Sequence, residues 1–353
     1  MSAKRPTSAD VASVAGVSRT TVSFVLNGRM DVKIAPATRR RVMEAAVELD
    51  YHPHVPARQL AGGTSQTLGL VLRQSPEQVA GDALLAETLR GLSIAARGAN
   101  HRVLVETLAP GNGSYAELIR SGRTDGLVIS GPRLDDPDLT DLVRDGFPVV
   151  LQGSLPGLDA PSVDVDNIAG ARMAVEHLVA LGHRRIACIT NAPVVYTAAA
   201  ERLAGYRLAL AAAGITFDPI LFEEGGFDAP SGNRAMAAIL ARELPDAVFV
   251  ASDVVALGVL AALRSAGHAV PRDVSVVAFD DIPLAAYVDP PLTTVRLPAR
   301  ELGIAAGMAI LERIAGRPVE RRSLLPTELI VRASTAPRTG SGVTAMEKRA
   351  VAP

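Results

Sequence analysis

The stretch from Ser8 to Asn27, SADVASVAGVSRTTVSFVLN, limits most narrowly what this chain can fold into. Its first eight residues have the spacing of an amphipathic helix, and Thr7 with Asp10 makes a capping-box pattern. Gly16 permits a tight turn, and a second short helix is predicted from about 18 to 26. Small and β-branched residues allow the two helices to pack closely: Ala12, Ala15, Val17, Val22 and Val25. The segment predicts a helix-turn-helix, although any small helical hairpin shares this spacing.

A helix-turn-helix places its second helix in the DNA major groove. The outward side of the predicted second helix carries polar groups that can reach base edges or phosphates: Arg19, Thr20, Ser23 and Asn27. Ser18 stands at its start. Phe24 lies one turn after Thr20, where it can touch a thymine methyl group; the alternative is that it packs on a neighbouring helix. These six residues are the candidate DNA contacts of the segment.

The words DVASVAGVSRTTVSFVLNG closely resemble the signature of the lactose-repressor/galactose-repressor (LacI/GalR) family of bacterial transcription regulators. The resemblance continues from Tyr51 to Leu60 and through most of the chain, to about Thr335. It implies a sequence-specific DNA-binding regulator, usually a repressor. Such a protein acts as a homodimer on near-palindromic operator DNA and responds to a small-molecule effector such as a sugar.

A linker is predicted in YHPHVPARQLAGG, residues 51–63. Family members carry a short hinge helix here that orders on the operator and inserts a leucine into the minor groove. The matching residue is Leu60, and Arg58 is a further candidate DNA contact. A helix this short is marginal alone in water, so its folding can be coupled to DNA binding.

Charge is divided unevenly along the chain. Residues 1–64 contain nine Lys or Arg and five Asp or Glu, a net of +4, whereas the remainder has 27 against 32, a net of −5. A basic head on an acidic body is consistent with a head that meets phosphate groups. The single cysteine, Cys188, excludes an internal disulfide framework and is expected in a buried strand.

From Thr67 onward, apolar runs alternate with helical segments, which predicts an α/β body with parallel sheets covered on both faces. The predicted strands are 68–72, 103–106, 126–130, 148–151, 185–190, 247–251 and 274–279. The predicted helices lie near 36–49, 82–99, 136–145, 167–182, 199–213, 229–243, 252–267 and 298–315. Seven strands could form one sheet; the family resemblance implies two subdomains of the periplasmic-binding-protein type.

The resulting domain organisation has four parts. A helix-turn-helix domain is expected at 1–50, a hinge at 51–64, an effector-binding and dimerisation domain at 65–335 and a disordered tail at 336–353. The first subdomain would comprise about 65–164 and 296–322, and the second about 165–295 and 323–335. The chain would therefore cross between the subdomains three times.

Further family words lie in the body: ERLAGYRLAL, ASDVVALGVLAAL, VPRDVSVVAFDD, PPLTTVR and LPTELIVRAST. The resemblance implies effector contacts at Arg202, Ser252 and Asp280, with Phe227 as an aromatic wall. Arginine and carboxylate groups can form directional hydrogen bonds to a polyol. The alternatives are a surface ion pair for Arg202, a core position for Phe227 and a loop cap for Asp280. Ser252 stands where the family usually has Asn, which leaves the identity of the effector open.

The sequence disfavours two other classes of protein, an enzyme and a solute-binding protein. A Rossmann-like enzyme is disfavoured because no GxGxxG follows the first strand, and there is no P-loop, no GxSxG and no zinc-ligand spacing. We therefore expect no catalytic residues, no metal and no cofactor. A solute-binding protein shares the body architecture, but the start MSAKRPTSAD lacks the apolar core of a signal peptide. With no apolar run long enough to span a membrane, a cytoplasmic protein is expected.

Overall fold

The computed structural model describes residues 6–26, 32–51, 64–108 and 114–338. The chain divides into two compact units, Met1–Ser65 and Gln66–Pro353. The predicted hinge and the candidate DNA contacts Asn27, Arg58 and Leu60 lie outside the described residues. Within the described parts, no helix combines the length and the apolar character needed to cross a membrane.

In the described residues of the first unit, which we call the head, there are three helices: α1 (Ser8–Ala15), α2 (Arg19–Leu26) and α3 (Pro36–Glu48). The predicted capping box is present, because Thr7 Oγ1 accepts from the Asp10 amide while the Asp10 carboxylate accepts from the Thr7 amide at 2.8 Å. Gly16 ends α1 with φ +65°, a conformation that favours glycine. The helices share one small core: Val11, Ala12, Ala15, Val22, Val25, Val42, Ala45 and Ala46.

The second unit, the body, contains two six-stranded sheets. The first has the strand order β11-β5-β4-β3-β1-β2 and the second β12-β10-β9-β8-β6-β7. Every pairing is parallel except that of β12 with β10. In chain order the strands are Thr67–Leu72, Arg102–Thr107, Gly126–Ser130, Val149–Gln152, Ser162–Val165, Ile186–Ile189, Phe222–Glu223, Ala247–Val250, Ser275–Asp280, Thr293–Arg296, Arg322–Leu325 and Glu328–Ile330. The two-sheet interpretation is confirmed, and each sheet defines one subdomain.

Nine helices of the described body cover the two sheets. They are α4 (Pro76–Ala80), α5 (Leu85–Gly98), α6 (Tyr115–Arg120), α7 (Pro137–Arg144), α8 (Asn167–Ala180), α9 (Thr197–Ala212), α10 (Ala229–Arg242), α11 (Asp253–Ser265) and α12 (Ala299–Ile314). The sequence did not predict α4 and α6, which are too short to show a helical repeat. The central strands are buried on both faces, which explains their uninterrupted apolar sequences. Cys188, on β6, is fully buried as expected.

The chain passes between the subdomains after β5, after β10 and after β11. The last passage was predicted near Arg322. In the structure, all four residues of β11 (Arg322–Leu325) pair with β5 in the first sheet, so the chain leaves that sheet between Leu325 and Glu328. The sequence missed this because β11 alternates exposed and half-buried residues and has no continuous apolar run.

The chain segment after Thr335 differs from the predicted tail in its first three residues. The Ala336 amide donates to Ser275 Oγ at 3.1 Å, and the Arg338 amide donates to the Leu181 carbonyl at 2.9 Å. The prediction of disorder from Ala336 onward is therefore wrong for residues 336–338. Residues 339–353 lie outside the described residues.

Helices α5 and α12 cross at very short range, although more than 200 residues separate them in sequence. A Cβ atom added at Gly91 of α5 would lie 2.0 Å from the Arg300 carbonyl oxygen. One added at Gly303 of α12 would lie 2.3 Å from the Thr88 carbonyl oxygen. The two backbones therefore pack directly on each other, and only glycine fits at the crossing.

This crossing predicts opposite effects of one substitution at two glycines of α5. Gly91→Ala should lower the free energy of unfolding by about 1–3 kcal/mol, because the backbones must separate. Gly98→Ala should be neutral or raise it by up to about 1 kcal/mol, because nothing lies within 4 Å and alanine favours the helix. Urea unfolding of both variants, followed by circular dichroism, measures the difference. Equal effects would show that the close approach does not limit packing.

Candidate ligand cleft and nucleic-acid interface

The body contains a cavity of about 170 Å³ between the carboxyl ends of the two sets of parallel strands. In open α/β sheets, ligands bind in the crevice outside the carboxyl ends of the strands. Polar residues at or just beyond the strand ends of both subdomains line it: Gln74, Ser130 and Gln152 from the first, and Asn191, Ser252 and Asp280 from the second. This cavity is the candidate ligand site, and we call it the cleft.

Arg202, on α9, forms the floor of the cleft on the side of the second subdomain. Its Nε donates to Asn167 Oδ1 at 2.9 Å, and NH1 donates to the Ala251 carbonyl at 2.7 Å and to Asp280 Oδ1 at 3.2 Å. The guanidinium carbon lies 3.8 Å from the centre of the Phe279 ring. The side chain is only 6% exposed, so it is not the surface ion pair that the sequence left open.

Asp280 faces Arg202 from the end of β9 and is almost completely buried. Burial raises the pKa of its carboxyl group to about 6, although Arg202 and a hydrogen bond from Ser252 act in the opposite direction. Its backbone φ is +116°, a conformation that costs energy for any residue with a side chain. The Leu297 amide, which donates to the Asp280 carbonyl at 3.1 Å, helps to hold this conformation. Asp280 therefore both pairs the arginine and shapes the loop.

A chain of hydrogen bonds connects the subdomains behind Arg202. Asn167 Nδ2 donates to Asp164 at 3.3 Å and to Glu201 Oε2 at 3.1 Å. Glu201 in turn accepts from Ser154 Oγ of the first subdomain at 2.7 Å. Burial, together with the charge of the nearby Glu201, raises the pKa of Asp164 to about 6.

The cleft is closed along one side by contacts between the loops after β3 and β6. The Leu134 amide donates to the Val195 carbonyl at 2.8 Å, and the Thr197 amide donates to the Pro132 carbonyl at 3.2 Å. Tyr196 Oη donates to the Arg73 carbonyl at 2.5 Å. We call these contacts the latch. Because the latch spans both subdomains, the structure describes a closed arrangement of the cleft.

Phe227 stands beside the latch and forms an aromatic wall of the cleft. Its ring meets that of Tyr196 edge to face, with 4.9 Å between the ring centres. It is half-buried and lines the cavity. It also packs against the buried cluster of Ala192, Tyr196 and Ala199, and a contact with the effector stays a prediction.

Three side-chain oxygens at the cleft are buried without a hydrogen-bond partner in the described structure. They are Gln74 Oε1, Gln152 Oε1 and Asn191 Oδ1. Buried polar atoms are nearly always paired, so such a group at a cavity points to a partner supplied by a ligand or by water. All three residues line the same cavity.

Asp253 lies next to Ser252 but does not line the cleft. Its carboxylate accepts from the Ile282 amide at 2.8 Å and from Thr294 Oγ1 at 2.6 Å. Burial, together with the charge of Asp280, raises its pKa to about 8. Asp253 thus holds the loop after β9 and provides a structural comparison for Asp280.

The four candidate effector residues Arg202, Phe227, Ser252 and Asp280 all line the cleft. Sequence reasoning missed Gln74, Asp82, Gln152, Asn167 and Asn191, which line it as well. Gln74, Gln152 and Asn191 follow apolar runs directly, so the rule that ligands bind at the carboxyl ends of parallel strands could have found them. Asp82 lies in a loop before α5 and has no comparable signal in the sequence.

In the head, Ser18, Arg19 and Thr20 are exposed at the start of α2, and Ser23 and Phe24 are half-buried. Ser18 also caps the helix, because its hydroxyl group accepts from the Thr21 amide at 3.1 Å. The buried side of α2 is formed by Val22 and Val25. Several polar groups at the amino end of α2 are thus free of the core, as a groove-binding helix requires.

Comparisons with known proteins agree with this architecture. Residues 7–54 match the family described as "Bacterial regulatory proteins, lacI family", and residues 175–335 match the "Periplasmic binding protein-like domain". The HTH-type transcriptional regulator CelR of Thermobifida fusca is 37% identical over 94% of this chain and 98% of its own.

Two solved structures extend the similarity to the fold. One is a complex of the transcriptional regulator CelR with cellobiose, with a TM-score of 0.72, 36% identity and coverage of 94% of this chain and 100% of the other. The other is the Lac repressor dimer bound to operator and the anti-inducer ONPF, with a TM-score of 0.82, 32% identity and the same coverage. The chain belongs to the LacI family of bacterial transcription regulators.

Proposed function

We propose that this protein is a repressor that binds operator DNA through its head. Its affinity for the operator rises or falls when a small molecule occupies the cleft. The observation that carries the proposal is the coexistence, in one chain, of a helix-turn-helix and a buried Arg202–Asp280 pair at a cavity between two subdomains. The family is one of regulators, and the protein is not an enzyme.

On the DNA side, the proposed contacts are Ser18, Arg19, Thr20, Ser23, Phe24, Asn27, Arg58 and Leu60. The proposed division is a head at 1–50, a hinge at 51–64 and a body at 65–335, with the two sheets as its subdomains. The hinge leucine Leu60 would insert into the minor groove and bend the duplex. A regulator that binds chromosomal DNA must be in the same compartment as the chromosome, so the proposed location is the cytoplasm.

On the ligand side, Arg202, Phe227, Ser252 and Asp280 are proposed to hold the effector. The CelR structure contains a disaccharide, cellobiose, which supports a sugar-like ligand for this cleft. An aromatic ring beside polar groups is the usual wall for a sugar ring. The paired guanidinium and carboxylate would orient its hydroxyl groups.

Two copies of the chain are proposed to act together. The solved Lac repressor is a dimer on its operator, and a two-fold protein matches a near-palindromic site with two half-sites. A ligand that favours the closed cleft changes the distance between the paired hinges, so only one arrangement lets both order on DNA. Such coupling is typically about 1–3 kcal/mol and is reciprocal between ligand and operator.

The test of the function is the selection of DNA fragments, from the genome that encodes the protein, by the full-length chain. We expect enrichment of a near-palindromic site that competes with random DNA at fixed salt concentration. A solute-binding protein, the second candidate, would select no sequence. Failure to enrich any site would overturn the proposal.

Phe24 provides a prediction about base preference. If its ring contacts a thymine methyl group, Phe24→Arg should shift one half-site position toward guanine, by about 1–3 kcal/mol, because arginine bonds two guanine acceptors. A repeat of the fragment selection with the variant measures this. Val14→Arg is the control: it adds the same charge at an exposed position of α1 and should leave base preference unchanged. An unchanged preference in Phe24→Arg would place the ring away from the bases.

Asp280 provides a prediction about ligand response. Asp280→Asn keeps the shape of the side chain but removes its charge, and should lower ligand affinity about tenfold or more. Operator affinity without ligand should stay within about twofold, because the head is unchanged. The measurement is operator titration with and without a sugar that raises the melting temperature of the wild-type protein.

Asp253→Asn is the matched control for Asp280→Asn. It replaces one of the two acceptor oxygens of a neighbouring buried carboxyl group that does not line the cleft, so the bond from the Ile282 amide or from Thr294 Oγ1 is lost. The variant should therefore have a lower melting temperature and preserve the ligand response. A full response in Asp280→Asn would remove Asp280 from the ligand site. Joint loss of stability and operator binding would assign it a structural role alone.

A further inference from the structure

The cleft contains more negative than positive charge. Three carboxylates line it, Asp82, Asp164 and Asp280, and among the described lining residues Arg202 is the single cationic side chain. Arg202 is already paired with Asp280 and bonded to the Ala251 carbonyl. An anionic ligand would therefore meet two uncompensated carboxylates and an arginine whose charge is largely offset.

Asp82 is the carboxylate with the most capacity left for a ligand. Its Oδ1 accepts from the amides of Leu84 and Leu85 at 2.9 and 3.2 Å, which anchors the start of α5. Among the described residues no donor reaches its Oδ2. Asp82 and Asp280 line the same cavity, one from each subdomain. Burial raises the pKa of Asp82, and the charge of Asp82 acts to raise that of Asp280.

The segment that carries Asp82 is held against the opposite subdomain. Leu84 packs on the core of the second subdomain together with Val254, which also lines the cleft. Asp82 therefore belongs to the closed cleft and not to an outer loop. Its free oxygen and the charge of Asp280 define an electronegative end of the cavity.

The remaining lining groups also favour a ligand rich in hydrogen-bond donors. Gln74 Oε1, Gln152 Oε1 and Asn191 Oδ1 are buried at the cavity without donors. A volume of about 170 Å³ is below the range of about 300–1,000 Å³ typical of pockets for drug-sized molecules. In its closed form the cleft accordingly suits a single small ring.

We propose that the cleft selects a single-ring polyol bearing a protonated amine, such as an amino sugar, and that Asp82 is the specificity residue that binds the amine. This inference rests on the proposed role of the cleft as the effector site. The hydroxyl groups of the ring donate to the three amide oxygens, and the ammonium group lies between Asp82 and Asp280. Sugar phosphates and sugar acids are excluded by the same carboxylates.

The experiment measures binding of matched ligands to the full-length protein by isothermal titration calorimetry. The probes are glucosamine, galactosamine and mannosamine, each compared with its parent hexose, its N-acetyl derivative and its 6-phosphate. In at least one series the amine should bind about tenfold or more tightly than its neutral counterparts, as expected for a hydrogen bond to a charged group. The 6-phosphate should not bind measurably. Absence of amine preference in every series, including absence of all binding, overturns the proposal.

Asp82→Asn separates recognition from folding. The amide oxygen can still accept from the Leu84 and Leu85 amides, so the helix start is kept while the charge is lost. The variant should lose the preference for the amine and retain affinity for the parent hexose within about threefold, since only the charged hydrogen bond is removed. Asp141→Asn, an exposed carboxylate on α7, is the control and should behave as wild type. A preserved amine preference in Asp82→Asn overturns the assignment of Asp82.

Operator binding distinguishes this inference from the proposed function. A preparation that enriches a specific DNA site but shows no amine preference overturns the ligand class alone. A preparation that enriches no DNA site overturns the regulatory function, whatever it binds in the cleft.

Discussion

The body depends on the compensation of one buried cation. Arg202 is removed from water, and an unpaired charge in such a place would cost several kcal/mol. Its guanidinium group donates hydrogen bonds to acceptors on three different segments: the carboxylate of Asp280 at the end of β9, the backbone carbonyl of Ala251 after β8 and the side-chain oxygen Oδ1 of Asn167 on α8. The Arg202–Asp280 pair therefore joins the ends of β8 and β9 to α8, the helix that follows the first passage of the chain between the subdomains. The pair, which the family resemblance assigned to ligand binding, also holds the loops at the ends of β8 and β9, in line with the loop-cap alternative for Asp280.

Closure of the cleft and recognition of a ligand use different atoms. The latch consists of hydrogen bonds to the backbone carbonyl groups of Arg73, Pro132 and Val195, so the polar side chains at the strand ends take no part in it. A net stabilisation of about 0.5–1.5 kcal/mol per hydrogen bond makes the latch comparable to a typical allosteric coupling of about 1–3 kcal/mol. One or two ligand contacts can therefore shift the balance between open and closed arrangements. The side chains at the strand ends decide which ligand does so.

The sequence predicted those parts of the fold that local chemistry determines. The capping box at Thr7, the turn at Gly16 and the buried strands carry signals within a few residues. Of the four expected cleft residues, Arg202, Ser252 and Asp280 lie within the quoted family words, and Phe227 lies outside them. The sequence did not predict elements that carry no local signal: β11 has no continuous apolar run, and α4 and α6 are too short to show a helical repeat. It also did not predict positions that depend on contacts between distant segments. Asp82 lies at the cleft because Leu84, two residues later, packs on the other subdomain. Residues 336–338 likewise are ordered by partners more than 60 positions away.

The close crossing of α5 and α12 has a consequence for synthesis of the chain. The core of the first subdomain contains Leu302, Ala306 and Ile310 together with residues of β1, and its outer strand is β11. When β1 to β5 leave the ribosome, the helix and strand that complete this sheet are still more than a hundred residues from being translated. The half-built sheet must wait, with one apolar face uncovered, while the second subdomain is made. The three described helices of the head are contiguous in sequence and share their own core, so the head can fold before the body is complete, whereas the cleft cannot form until α12 and β11 have been made.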